Sequence, residues 1–201
     1  MGKELEFKLA VPDERTLETV LNDAKVQRLS DGAWQTFSMK TTYFDTTARA
    51  FSRSRWTLRQ RMENGTGVVC LKTPTGEAHT RGEWQVEANA VDPDALERLL
   101  RAGAPGQLLA LYGDGALEAV CGAEFRRRCV LLHLPDGSVA ELAGDVGFLT
   151  GKTERLPFAE VELELKSGAP DETAALAAAL CARYGLHEQR ASKHARALRL
   201  K

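Results

Sequence analysis

Residues 4–9 alternate without a break: Glu4, Glu6 and Lys8 interleave with Leu5, Phe7 and Leu9. A period of two marks a β-strand with one apolar face and one ionised face. Half-buried strands ordinarily turn polar residues to water, so this pattern alone fits a plain solvated strand. Yet side chains two apart lie roughly 6–7 Å from each other on one side of a strand, and two carboxylates at that spacing repel. The rest of the chain decides between these readings.

With 201 residues the chain suits one domain with a sizeable core. Charged residues make up 27% but the net charge is −1, so no global basicity points to nucleic acid. No apolar stretch has bilayer-spanning length, and the N-terminus enters the first strand with no charged leader and apolar core before it. The expectation is a cytoplasmic protein with no membrane partner. Cys70, Cys121, Cys129 and Cys181 lack CxxC spacing, which argues against a zinc cage and for reduced, partly buried thiols.

Pro12-Asp13 opens a helix whose apolar positions are Leu17, Val20, Leu21 and Ala24. Strands are predicted at 40–45 and 56–61, and Asn64-Gly65 folds the second back onto 67–73. Residues 81–87 alternate again. Asp92-Pro93 caps a helix with a Leu96, Leu99, Leu100 stripe and Gly103 beyond its end, and a further helical stretch is predicted around Leu108 to Leu117 despite Gly113 and Gly115. Strands resume from Phe125 to Leu131, turn at Pro135-Asp136-Gly137, and continue over 139–145. Glu160 to Leu165 repeats the opening pattern with a third carboxylate. An Ala/Leu-rich helix then starts at Pro170-Asp171 and stops at Gly185, before a basic segment containing Ser192-Lys193.

The ionised faces of these strands carry Glu4, Glu6, Lys8, Arg59, Arg61, Lys72, Arg81, Glu83, Glu87, one parity of Arg126 to Arg128, Glu141, Asp145, Glu160, Glu162 and Glu164. In an open sheet they form a solvated surface, whereas in a closed sheet they line a lumen. Inside a lumen, clustered carboxylates must protonate or bind cations, and clustered Arg and Lys demand anions. A polyphosphate with a divalent metal satisfies both. Carboxylate oxygens suit the hard ions Mg²⁺ and Mn²⁺, and Arg and Lys suit phosphate oxygens.

Glu4-Leu5-Glu6-Phe7-Lys8 resembles the ExExK signature of the CYTH superfamily, the triphosphate tunnel metalloenzymes. Leu58-Arg59-Gln60-Arg61, Lys72, Arg81-Gly82-Glu83, Arg127, Glu141 with Asp145, Glu160 to Glu164 and Ser192-Lys193 follow in the family's order, over almost the whole chain. The region Thr80 to Glu83 and the stretch Glu160 to Ser167 are most similar to bacterial inorganic triphosphatases, which are often fused to a C-terminal CHAD domain; residues 1–201 hold no CHAD portion. The resemblance implies a single CYTH domain over 1–201: an α+β fold with a closed eight-stranded antiparallel β-barrel, a polar lumen and helices outside. With Arg127 inward, the next inward residue is Cys129 rather than a second base; the other parity, with Arg126 and Arg128 inward, would suit anion binding better.

It also implies roles. Lys8, Arg59, Arg61, Lys72, Arg81, Arg127 and Lys193 would hold the phosphate chain, with Lys8, Arg59, Arg61 and Lys72 offsetting transition-state charge. Glu4, Glu6, Asp145, Glu160 and Glu162 would hold Mg²⁺ or Mn²⁺, with Glu83 and Glu141 as weaker candidates. The implied reaction is hydrolysis of inorganic triphosphate, or another polyphosphate, to diphosphate and phosphate. Alternatives are a thiamine triphosphatase using Trp56 as a platform, a class IV-type adenylyl cyclase, and a non-catalytic polyphosphate-binding module; intact acidic positions favour an enzyme.

Other motifs are weaker. Gly151-Lys152-Thr153 ends like a P-loop, but Val146 stands where its first glycine is required. His79, His133, His187 and His194 show no HExxH spacing and read as ordinary histidines, and Trp34, Trp56 and Trp84 read as packing residues.

Overall fold

The computed structural model describes residues 2–114 and 116–201. In chain order the elements are β1 (Gly2–Val11), α1 (Glu14–Leu21), α2 (Ala24–Leu29), β2 (Gln35–Thr46), α3 (Ala50–Arg53), β3 (Thr57–Glu63), β4 (Thr66–Pro74), β5 (Thr80–Glu87), α4 (Pro93–Arg101), α5 (Gln107–Tyr112), β6 (Leu117–His133), β7 (Val139–Thr150), β8 (Arg155–Ser167), α6 (Asp171–Tyr184), β9 (His187–Glu188) and α7 (Lys193–Ala197).

The sheet runs β5-β4-β3-β2-β6-β7-β8-β1, and β5 pairs β1 to close it. Every one of these ladders is antiparallel. The result is a closed eight-stranded antiparallel barrel, with the two-residue β9 added beside Leu9 and Ala10 of β1. Closure removes both sheet edges and commits alternate side chains to the interior.

Local chemistry sets the element ends. Asn64 and Gly65 both adopt positive φ, 49° and 94°, which gives the two-residue turn whose twist matches a β3–β4 hairpin. Asp13 caps α1 through Thr16 N, Asp92 caps α4 through Ala95 N with Pro93 in its first turn, and left-handed Gly185 ends α6.

Two outer cores hold the barrel's apolar face. Leu17, Val20 and Leu21 of α1, Val26 of α2 and Leu176 and Leu180 of α6 cover Leu9, Leu142, Val161 and Leu163. On the other side Phe51, Leu96, Leu99 and Leu108 cover Leu58, Val69, Leu71 and Trp84. Gly144 lets α1 approach β7, since a Cβ there would sit 2.8 Å from a Leu21 methyl.

Several details depart from the sequence reading. Ala24 is exposed, because the helix breaks at Asn22-Asp23 and Val26 takes the buried position. The helix around Leu108 to Leu117 ends at Tyr112, and Leu117 is already strand; Gly115 lies outside the described residues. β6 therefore starts at Leu117, not Phe125. Glu87 is exposed near the end of β5.

The largest departure is α7, which packs against the inner face and not outside. Ala197 is fully buried in a third core with Met39, Tyr43, Ala123, Phe125, Leu149 and Phe158. Arg127, two residues from Phe125 on β6, faces Asp145 across the β6–β7 ladder, so this core lies on the lumen side of the sheet. The lumen is thus apolar where α7 fills it and polar elsewhere. Among the described residues no helix is long and apolar enough to cross a membrane.

Candidate active site

The polar part of the lumen is a cavity of about 960 Å³. Alternation places each strand's charges in it. β1 contributes Glu4, Glu6 and Lys8, β3 Arg59 and Arg61, β4 Lys72, and β5 Arg81 and Glu83. From the opposite side come Arg127, Glu141, Glu162 and Glu164, while α7 adds Lys193 and His194.

Asp145, Glu160 and Glu162 converge on one point, each offering a carboxylate oxygen within 4.8 Å of the others. The register explains why: Asp145 stands opposite Glu160, and Arg127 opposite Asp145. Asp145 and Glu160 are 0% exposed. Buried charge survives only when paired, and here three cations answer three carboxylates. Arg127 grips Asp145 by two bonds of 2.7 Å and also reaches Glu162. Lys193 Nζ lies 2.7 Å from Asp145 and 2.9 Å from Glu162 and also contacts Glu160, which Arg196 binds from the far side.

These contacts set the titration of the group. Burial would raise Glu162, but Lys193 and Arg127 outweigh it and hold the carboxyl well below the usual range. Glu160 is raised, because burial outweighs Lys193. Burial works against the charge of Lys193 as well, yet Asp145 and Glu160 keep it protonated.

A second acidic group lies on the other wall. Lys72 Nζ is 2.5 Å from Glu4 and 3.7 Å from Glu83, and Lys8 Nζ is 2.5 Å from Glu6. Burial lifts the Glu4 carboxyl to about 7 against the pull of Lys72, whereas Lys72 and Arg59 overcome burial to hold Glu83 at about 2. The five carboxylates expected to bind metal therefore divide into two cation-paired groups: Asp145, Glu160 and Glu162 with Arg127, Lys193 and Arg196, and Glu4 and Glu6 with Lys72 and Lys8. The three-carboxylate cluster fits a hard divalent cation, since all of its donors are oxygens.

Burial opposes the charge of Arg59, and the carboxylates around it, Glu83 and Glu4, help to keep it protonated. Its nearest carboxylate oxygen is nonetheless 3.7 Å away on Glu83, and its Nε is buried with no partner among the described residues. Arg61 turns to Glu63 at 2.5 Å, and Arg81 donates to Arg55 O at 2.9 Å. Arg126 and Arg128 point outward to Glu14 and Glu18, so Arg127 is the inward member of its run.

The sequence reading passed over Arg196 and Lys166 and took His194 for an ordinary histidine. Lys166 sits 2.9 Å from Glu164, continuing the alternation of β8 one step further. His194 corrects an expectation, since it is 8% exposed and lines the cavity instead of being an ordinary histidine. Trp84 is a packing residue, but Trp56 both packs and lines the cavity. The four cysteines are free, three of them buried.

A closed antiparallel barrel with opposed carboxylates and cations inside it is the architecture of a triphosphate-tunnel enzyme. The chain belongs to the CYTH domain family, which matches residues 2–198 and whose members depend on divalent metal. Solved structures share the fold at low identity. A candidate adenylyl cyclase from Hippeastrum with a dominant triphosphatase activity is 20% identical over 98% of this chain and 95% of its own, with a TM-score of 0.58. A protein from Pyrococcus horikoshii OT3 is 18% identical over 98% of both chains, with a TM-score of 0.57. A candidate adenylate cyclase from Bacillus halodurans is 15% identical over 96% of both, with a TM-score of 0.55. No curated protein matches the chain.

Proposed function

We propose that this chain is a single CYTH domain of the bacterial inorganic triphosphatase type, hydrolysing inorganic triphosphate to diphosphate and phosphate with Mg²⁺ or Mn²⁺. The observation that carries this reading is the cavity's mixed charge: basic side chains from β1, β3, β4 and β5 share its lining with carboxylates, among them Glu162, which converges with the buried Asp145 and Glu160 behind the wall. A short polyanion that also binds a metal complements both signs of charge.

Lys8, Arg59, Arg61, Lys72 and Arg81 bind and align the phosphate chain, joined by Arg127 and Lys193 beside the acidic cluster. Arg59, with donors to spare, contacts the phosphoryl group whose charge rises in the transition state. Asp145, Glu160 and Glu162, with Glu4 and Glu6 across the lumen, would hold the divalent ion, which would supply charge to offset the phosphates and a lowered pKa for a water molecule. Phosphoryl transfer rests on positioning and electrostatics, which agrees with a site built from charged groups without an activated side-chain nucleophile.

The solved relatives supply a second reading, cyclisation of ATP, and Tyr43 and Trp56 in the lining offer surface for a base. Phosphorus NMR of the products separates the two. Equimolar diphosphate and phosphate from triphosphate supports the hydrolase; cyclic AMP and diphosphate from ATP, with triphosphate left intact, rejects it.

A further inference from the structure

Three nitrogens in the residues lining the cavity are buried and have no hydrogen-bond partner among the described residues: Arg59 Nε, Arg81 Nε and His194 Nε2. A buried donor left unpaired costs roughly 1–3 kcal/mol, so the two arginine Nε–H groups, and the imidazole Nε2 in the tautomer that carries its hydrogen there, call for a ligand that accepts hydrogen bonds. Two belong to residues already placed on the phosphate chain. The third comes from α7 and has no role so far.

The fold brings His194 to the others. Thr57 and Arg59 are two apart on β3 and share a face, and Tyr43 stands opposite Arg59 on β2. The His194 ring packs tilted against Tyr43 with centroids 4.8 Å apart, and its Nδ1 lies 3.4 Å from the Thr57 hydroxyl. With that hydroxyl donating to Nδ1, Nε2 carries the hydrogen. Burial, with Arg81 adding to it and Asp45 opposing, lowers the imidazole pKa to about 4, so the ring is a neutral donor that adds no charge beside Arg81.

We propose that His194 is a substrate-contacting residue whose Nε2–H completes, with the Nε–H groups of Arg59 and Arg81, a subsite for the oxygens of an unesterified phosphoryl group. The inference rests on reading the tunnel as a polyphosphate site and adds the wall on which the chain's free end is held. Donors directed at phosphoryl oxygen favour an inorganic polyphosphate over a substrate that presents an organic group at this wall.

The test is calorimetric binding of inorganic triphosphate to the full chain in chelator, for wild type, His194→Phe and His194→Gln. Phe keeps an aromatic ring without the donor, and Gln keeps an N–H. His194→Phe is expected to weaken binding roughly tenfold or more, and His194→Gln to recover most of the loss. In wild type labelled with ¹⁵N-histidine, the His194 Nε2 resonance is expected to report the Nε2–H tautomer and to shift on adding triphosphate, a readout that needs no variant to fold. Unchanged binding by His194→Phe, equal weakening in both variants, or an unmoved Nε2 resonance while triphosphate binds overturns the inference alone. A wild-type chain that neither binds triphosphate in chelator nor hydrolyses it with Mg²⁺ or Mn²⁺ overturns the proposed function, and this subsite with it.

Discussion

Arg127 clasps Asp145 through two parallel hydrogen bonds of 2.7 Å, directly across the β6–β7 ladder. Asp145 is wholly buried, and although Lys193 also reaches it and Arg127 also reaches Glu162, removing either member of the pair leaves a buried charge short of a partner in a low-dielectric wall. Arg127→Met and Asp145→Asn should each cost about 3–5 kcal/mol of stability in urea unfolding. The double variant should lose less than the sum, with a coupling of roughly 1–3 kcal/mol. Additive losses would show that the two side chains stabilise the fold independently.

Arg59 is the opposite case, a lining cation with unspent donors. Arg59→Ala should raise KM for triphosphate or lower kcat/KM by roughly ten- to a hundredfold, while the melting temperature stays near that of wild type. Steady-state kinetics beside a thermal melt checks both halves. Unaltered kinetics would remove Arg59 from the site.

Glu4 and Glu162 test the acidic positions on the two walls. Burial raises the Glu4 carboxyl to about 7, so its ionised form is disfavoured and Glu4→Gln should leave the fold intact. Both Glu4→Gln and Glu162→Gln should lower metal-dependent turnover by about a hundredfold or more. Mn²⁺ binding followed by electron paramagnetic resonance should weaken in parallel, and near-normal rates and binding would take these carboxylates out of the metal site.

His194 predicts an acid limit. Its pKa falls from an ordinary 6.5 to about 4 on folding, so between those values the unfolded chain binds a proton that the folded chain does not. Stability therefore declines as pH drops from about 6.5 to about 4, by about 3 kcal/mol from this residue. Chemical unfolding across that range should show a flatter profile for His194→Gln. Identical slopes would mean that the ring is solvated.

The barrel and most of its lining were legible because a two-residue period is local. Glu4, Glu6 and Lys8 declare their face without knowledge of the partner strand, and β8 repeats the pattern at Glu160, Glu162 and Glu164. The parity that turns Arg127 inward followed from the family order and is met by Asp145 across the ladder. The early start of β6 was hidden because Ala119 to Ala123 are mostly small and do not alternate. α7 was hidden for a different reason: five residues are too few to show a helical period, and its seat inside the barrel is decided by tertiary packing of Ala197 against Phe125 and Phe158. Arg196 went unread with it, and His194 was taken for an ordinary histidine.

The most direct test of the central claim is phosphate release by the purified chain from inorganic triphosphate, thiamine triphosphate, ATP and long-chain polyphosphate, each with Mg²⁺, with Mn²⁺ and with chelator. The account predicts rapid release from triphosphate that needs metal and far exceeds release from the other three. Tight polyphosphate binding with no release under any condition would contradict it and leave a binding module in place of an enzyme.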